Sequence, residues 1–289
     1  MTRIRLLLDC DPGLDDAVAL ALAMASSELV VAAVSTVAAN APIDIVTSNA
    51  ERVMDRLDCR CPLFQGAAQP LVIKARHSTD IWGGDGRLPL DIPGRPAKRL
   101  DRAGFEKLSR EADVVCAIGS LTNIAELITA GHRPKRLAIM GGALGRGNAT
   151  PHAELNIWAD PQAAGIVFAS GIPITLVPLD ITRTLIVPQD MIARLANSPS
   201  VPARLCGELL PHAGSNAHPS AIHDAAVVGF LLWPQLFTRQ RGELSVTPSG
   251  VEEGRTSFTA TADGPHEILT DVVRDDLFRH MLHRLRRED

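Results

Sequence analysis

Apolar and polar positions along this chain fall into alternating blocks. Short, branched, continuously apolar runs are followed by longer runs of helix formers. Ile4 to Leu8 reads as a buried strand broken by Pro12-Gly13, and Ala17 to Met24 follows as a helix. The same alternation predicts a strand over Val30 to Val37 and a helix over Ile43 to Leu57. Further strands are expected at Asp113 to Ile118, Arg136 to Met140 and Ile174 to Leu179, with a helix over Thr122 to Thr129. Strands that are apolar throughout and separated by helices predict an α/β fold with a mostly parallel sheet covered on both faces. Val246 to Thr261 alternates polar and apolar residues, the pattern of an antiparallel hairpin, and a last helix is expected over Val273 to Arg286. No linker, repeat or low-complexity tract calls for a second domain, so residues 1–289 are read as one.

The polar residues gather at one edge of that expected sheet. The strand-like runs end in Asp9 and Asp11, in Asn40, in Gly119-Ser120-Leu121-Thr122-Asn123, in Gly141-Gly142 and in Asp180. Turns are polar in any protein. Open α/β sheets also bind their ligands in the crevice at the carboxyl ends of the strands.

The densest of these ends carries four carboxylates within eight residues: Asp9, Asp11, Asp15 and Asp16. Asp15 and Asp16 could simply complement a helix N-terminus. That does not account for Asp9 and Asp11 at the end of an apolar strand. Carboxylates this close repel unless a proton or a cation sits among them. An all-oxygen donor set, with no His or Cys required, suits Ca²⁺ or Mg²⁺ rather than zinc.

Composition narrows the choice of partners. Apolar residues make up 46 % of the chain and the net charge is −4, so there is no electrostatic footprint for nucleic acid. The basic cluster Arg284 to Arg287 is expected to be a solvated helix end. Five scattered cysteines, including Cys59 and Cys61 in a lone C-x-C near an expected turn, fit a reduced cytoplasmic protein better than a disulfide framework. The N-terminus runs directly into a strand with no signal-peptide pattern, and no apolar run reaches the ~18 residues of a membrane span.

Two further groupings carry candidate chemistry. Gly147-Asn148-Ala149-Thr150-Pro151-His152-Ala153-Glu154-Leu155-Asn156 precedes Asp160-Pro161, a helix start. Its amides and carboxylate suit either a polyhydroxyl ligand or a loop rich in caps. His223-Asp224 could be a plain helix cap with a solvated neighbour, or a proton donor beside a metal-binding acid.

Taken in order, these pieces resemble the inosine–uridine-preferring nucleoside hydrolases. The resemblance rests on Asp9-Cys10-Asp11-Pro12-Gly13-Leu14-Asp15-Asp16, Ser35 to Asn40, Gly119 to Ala125 and Met140 to Ala143. It continues through Gly147-Asn148, Ala153 to Asn156, Asp160-Pro161 and His223-Asp224, and spans nearly the whole chain. It implies a single Rossmann-like domain, assembled as a homodimer or homotetramer, that cleaves ribonucleosides to ribose and a free base. It implies Ca²⁺ held by Asp11, Asp16, the backbone carbonyl of Thr122, and Asp224, with Asp11 as the base that activates water. By the same resemblance Asp15 and Asn40 bind the ribose hydroxyls, and Asn148, Glu154 and Asn156 hold the rest of the sugar. His223 is the acid for the leaving base, and Asp9 stands behind the ligands. A carboxylate-rich pocket suits the positive charge that builds on ribose in the transition state.

The base-binding side departs from the pattern. Trp82 stands where many relatives carry a His, and could stack on a base or simply pack. The segment from Leu209 to Pro219 is short and offers His212 and His218 rather than the usual tyrosines; the chain has no Tyr at all. Two other readings remain open on the residues: a ribose- or nucleoside-binding relative with little turnover, and a Mg²⁺-dependent phosphatase using Asp9 and Asp11. Pro12-Gly13-Leu14 after the acid pair argues against the phosphatase.

Overall fold

The computed structural model describes residues 3–82, 84–92, 94–212 and 221–287. In chain order the elements are β1 (Ile4–Cys10), α1 (Leu14–Met24), β2 (Leu29–Thr36), α2 (Ile43–Arg56), β3 (Leu63–Gln65), α3 (Ser78–Trp82), α4 (Arg102–Glu111) and β4 (Val114–Ala117). They continue with α5 (Thr122–Thr129), β5 (Leu137–Met140), α6 (Leu155–Ala159), α7 (Pro161–Phe168), β6 (Ile174–Val177), α8 (Leu179–Thr182), α9 (Gln189–Ala196) and α10 (Val201–Leu209). The last are α11 (Ala225–Leu232), β7 (Phe237–Val246), β8 (Thr256–Ala260), β9 (His266–Val272) and α12 (Arg274–Leu285).

The described strands form one nine-stranded sheet in the order β3-β2-β1-β4-β5-β6-β9-β7-β8. β3 through β6 and β9 run parallel, while β7 is antiparallel to both β8 and β9. The first six strands therefore have the doubly wound order, with the chain reversing direction across the sheet at β1 and β4. That reversal opens a crevice at their carboxyl ends.

Side-chain alternation along β1 sends Leu6, Leu8 and Cys10 to one face and Leu7 to the other, and all four are fully buried. The first face packs against α1, α10, α11 and α12, the second against α5 and α7. Two-sided burial is why these strands read as continuous apolar runs. Helices α1 and α11 are apolar nearly all round, pack against each other, and are buried along most of their length. Both begin at the acidic residues of the site.

The structure differs from the sequence expectations in two places. The hairpin starts earlier than Val246: β7 begins at Phe237, and Val246 is its last residue. Thr238 to Arg241 are all exposed, so this half of the strand carries no apolar alternation to read. Arg284 is not solvated. It is buried, donates to both carboxylate oxygens of Glu28, and lies over the ring of Trp233. Among the described residues no helix is long and apolar enough to cross a membrane.

Candidate active site

The carboxyl ends of β1, β2 and β4 meet the N-termini of α1, α5 and α11 over the β1–β4 crevice. β1 delivers Asp9 and Asp11. Asp9 follows the face of Leu7, is fully buried, and its Oδ1 accepts from Ser35 Oγ at 2.5 Å and from Asn123 Nδ2 at 2.8 Å. Its Oδ2 has no hydrogen-bond partner, and burial pushes its pKa up to about 7. Asn123 also donates to the Thr36 carbonyl, so Asp9 fastens β1, β2 and α5 together.

Asp11 has one oxygen held and one free. Its Oδ2 accepts the Asn40 backbone N–H at 2.6 Å, while its buried Oδ1 has no partner. A Cβ on Gly119 would stand 2.7 Å from that Oδ1, so only glycine lets β4 pass this close. Burial, then the charge of Asp16, holds the Asp11 carboxyl well above the ordinary range.

Asp16 does the capping work at the start of α1. It accepts from the backbone N–H groups of Gly13 at 2.9 Å and Asp11 at 3.1 Å. Asn40 Nδ2 bridges the Asp11 carbonyl and Asp16 Oδ2. Asp16 is fully buried, and desolvation followed by the charge of Asp15 pushes its pKa up to about 7.

Asp224 stands at the N-terminus of α11, yet its side chain caps no backbone N–H. It faces α1 instead: ligand oxygens of Asp15, Asp16 and Asp224 all lie within 4.8 Å of one another. Burial, then the charges of Asp15 and Asp16, holds Asp224 well above its usual value. An all-carboxylate cluster, largely buried, mutually repelling and close to the charge of Asp11, fits a hard divalent cation. The converging trio includes Asp15, which the resemblance placed on the ribose rather than on the ion.

His223, beside Asp224, is half-buried, and its Nδ1 lies 2.8 Å from the Thr182 hydroxyl at the end of α8. Burial holds its pKa below the ordinary value; the Asp15 carboxylate works against that shift and Arg183 with it. Thr122 opens α5, and its hydroxyl donates to Asp160 Oδ2 at 2.7 Å.

The other expected contacts sit in the same rim, engaged with their own loop and the neighbouring strand ends. Glu154 caps α6: its carboxylate accepts the backbone N–H groups of Asn156, Ile157 and Gly142. Asn156 Nδ2 donates to the carbonyls of Ile118 and Met140, tying together the ends of β4 and β5. Asn148 is exposed, and its Oδ1 accepts the Leu155 N–H at 2.9 Å. Asp180 accepts from Leu144 and Gly145, mooring the loop after β5.

Where the resemblance expects the base, α3 is fastened to the loop after β2 by Ser78, which bonds the carbonyls of Ala39 and Asn40. Trp82 ends that helix, and its side chain lies outside the described residues, as does His218. His212 is exposed in a 3₁₀ turn. Asp160, Thr182 and Ser35 were given no role from sequence. Only Asp160 carried a signal, as the helix start before Pro161.

Comparison with known proteins gives a consistent picture. The family model for inosine-uridine preferring nucleoside hydrolases matches residues 6–279. The chain is 38% identical over 260 residues to the non-specific ribonucleoside hydrolase RihC of Escherichia coli (strain SMS-3-5 / SECEC), covering 86% of this chain and 85% of the relative. Among solved structures, a plant nucleoside hydrolase superposes with a TM-score of 0.89 at 25% identity, covering 99% of each chain. A purine-preferring ribonucleoside hydrolase from Gardnerella vaginalis superposes with a TM-score of 0.87 at 23% identity, covering 97% of this chain and 98% of the other.

Proposed function

The chain belongs to the inosine–uridine-preferring nucleoside hydrolases and is an N-ribosyl hydrolase; from that premise we propose a Ca²⁺-dependent cleavage of ribonucleosides to ribose and free purine or pyrimidine base. The observation that carries this reading is the convergence of half-buried Asp15 with buried Asp16 and Asp224, with Asp224 left uncapping at a helix start. Asp11, Asp16, Asp224 and the Thr122 carbonyl would hold the ion, with Asp15 near enough to share it. A Ca²⁺ held by these residues would supply Lewis-acid activation of water.

Asp11 would take the proton from the attacking water. Its Oδ2 is pinned by Asn40 and its Oδ1 is free, so the base is oriented before substrate arrives. Asp15 and Asn40 bind ribose hydroxyls, and Asn148, Glu154 and Asn156 shape the far side of the sugar. Anionic side chains around the ribose stabilise the oxocarbenium-like transition state more than the neutral substrate. The Thr182 hydroxyl at Nδ1 orients the His223 ring, and in the tautomer where that hydroxyl donates, the ring proton is on Nε2, available to the departing base. Trp82 is proposed as a contact on the base side.

One catalytic domain over residues 1–289, assembly into two or four copies, and a cytoplasmic site of action belong to the same reading. All five cysteines being free supports a reducing compartment. The test is ribose release from a panel of purine and pyrimidine ribonucleosides, with Ca²⁺, with Mg²⁺, and after chelation. Release that disappears on chelation and returns with Ca²⁺ supports the proposal and names the preferred base. Undiminished release after chelation, or no release from any nucleoside by the loaded protein, overturns it.

A further inference from the structure

The C-x-C pair lies outside the acidic pocket, in the loop that carries the chain from α2 to β3. Cys59 Sγ and Cys61 Sγ are 3.2 Å apart, close enough for one thiol to donate to the other. Both line a cavity of about 150 Å³ whose wall also carries Arg60, Arg95 and Lys98 against Asp55 and Asp58. Cys59 is held there by its own N–H on the Met54 carbonyl at the end of α2. Cys61 is half-buried and Cys59 is 9% exposed, and both residues line the cavity.

We propose that Cys59 and Cys61 form a reversible dithiol–disulfide site, oxidised by a small hydroperoxide entering this cavity. The Cys59 thiolate attacks the peroxide, the O–O bond breaks, and the peroxide's remaining oxygen leaves as an alcohol or water after taking up a proton. Cys59 is then a sulfenic acid. The Cys61 sulfur attacks it, the S–O bond breaks, water departs with the Cys61 proton, and the S–S bond forms. The two thiols lose two electrons and two protons, and the hydroperoxide is reduced to alcohol and water.

The division of labour follows from the surroundings. The hydrogen bond from Cys61, helped by the charge of Arg60, lowers the Cys59 pKa to about 7, whereas its neighbour's anion and burial push Cys61 up. Cys59 is therefore the attacking thiolate and Cys61 the resolving thiol. The other three cysteines offer no such chemistry. Cys10, Cys116 and Cys206 are fully buried and burial pushes each thiol up, Cys206 to about 12.

The test treats the native protein with hydrogen peroxide, blocks remaining thiols with iodoacetamide, and maps peptides after digestion with a protease that spares Arg60. The expected result is a peptide holding both cysteines that is unalkylated and lighter by two hydrogens, restored by dithiothreitol. Cys59 in untreated protein should alkylate at least about tenfold faster than Cys10, Cys116 and Cys206. In Cys61→Ser, Cys59 should accumulate a dimedone adduct under the same peroxide. A wild-type peptide that stays doubly alkylated, or that passes to sulfinic acid without the bridged species, overturns the proposal. Failure of the hydrolase reading leaves this outcome untouched, because the readout is the mass of one peptide.

Discussion

Two sets of acids stand at helix N-termini in this molecule, and they behave differently. At α6 and α7, Glu154 and Asp160 turn their carboxylates inward and accept backbone N–H groups from their own first turn. At α11, Asp224 accepts none and faces Asp15 and Asp16 across the crevice. A cap repays the desolvation of a carboxylate with hydrogen bonds and a favourable dipole. Asp224 has given up the local hydrogen bonds and gained like charges, a loss that the fold tolerates only with a cation or a proton between them. The difference separates acids that build the rim from acids that do its chemistry.

Substitution at Asp11 should have the largest effect. Asp11→Ala removes both an ion ligand and the base, and turnover should fall by roughly 10³-fold or more. Near-normal kcat would break the division between the two sets. Asp224→Asn should weaken Ca²⁺ binding by at least about 100-fold in a calorimetric titration. The same change should raise the thermal midpoint of the chelated protein at alkaline pH, where the Asp224 carboxylate is otherwise charged beside Asp15 and Asp16. His223→Ala should cost ~10²-fold on nucleosides with poor leaving groups and little on an activated aryl riboside. Equal losses on both would remove the ring from the leaving-group step.

The pH dependence of stability sharpens the contrast further. Asp9 and Asp16 ordinarily titrate near 3.8, but in the fold burial pushes each up to about 7. A carboxyl with a raised folded pKa favours the folded state fully below its unfolded value and loses that contribution as pH rises through the folded one. Chelated protein should therefore lose stability from about pH 4 to pH 7, and Ca²⁺ should offset the part that Asp16 contributes. A chelated protein whose melting temperature is flat over that range contradicts the burial argument. Asp160→Ala gives the smallest expected effect. It should lower stability by about 1 kcal/mol through the lost cap on α7, measured by urea denaturation, with Ca²⁺ affinity changing far less than in Asp224→Asn.

Much of this division was legible before any coordinates. Continuous apolar runs betrayed strands buried on two sides, and the density of acids at Asp9 to Asp16 exceeded what a helix cap needs. The order of polar strand ends placed the crevice. What could not be read was how each acid spends its lone pairs. Asp16 serves both as a cap and as a member of the cluster, and Glu154 is saturated by three backbone N–H groups. These depend on tertiary geometry, as does the convergence of Asp15 with Asp16 and Asp224. Strand β7 escaped because Thr238 to Arg241 face solvent, and Arg284 because its partner Glu28 lies far away in sequence.

The most direct test strips the protein with chelator and titrates Ca²⁺ back, following bound ion and ribose release from one hydrolysed nucleoside in the same samples. The account predicts that activity is lost on stripping and returns in proportion to a single bound ion per chain, and that Asp224→Asn shifts both curves together. Full activity in the stripped protein, or ion binding that Asp224→Asn leaves unchanged, would contradict it.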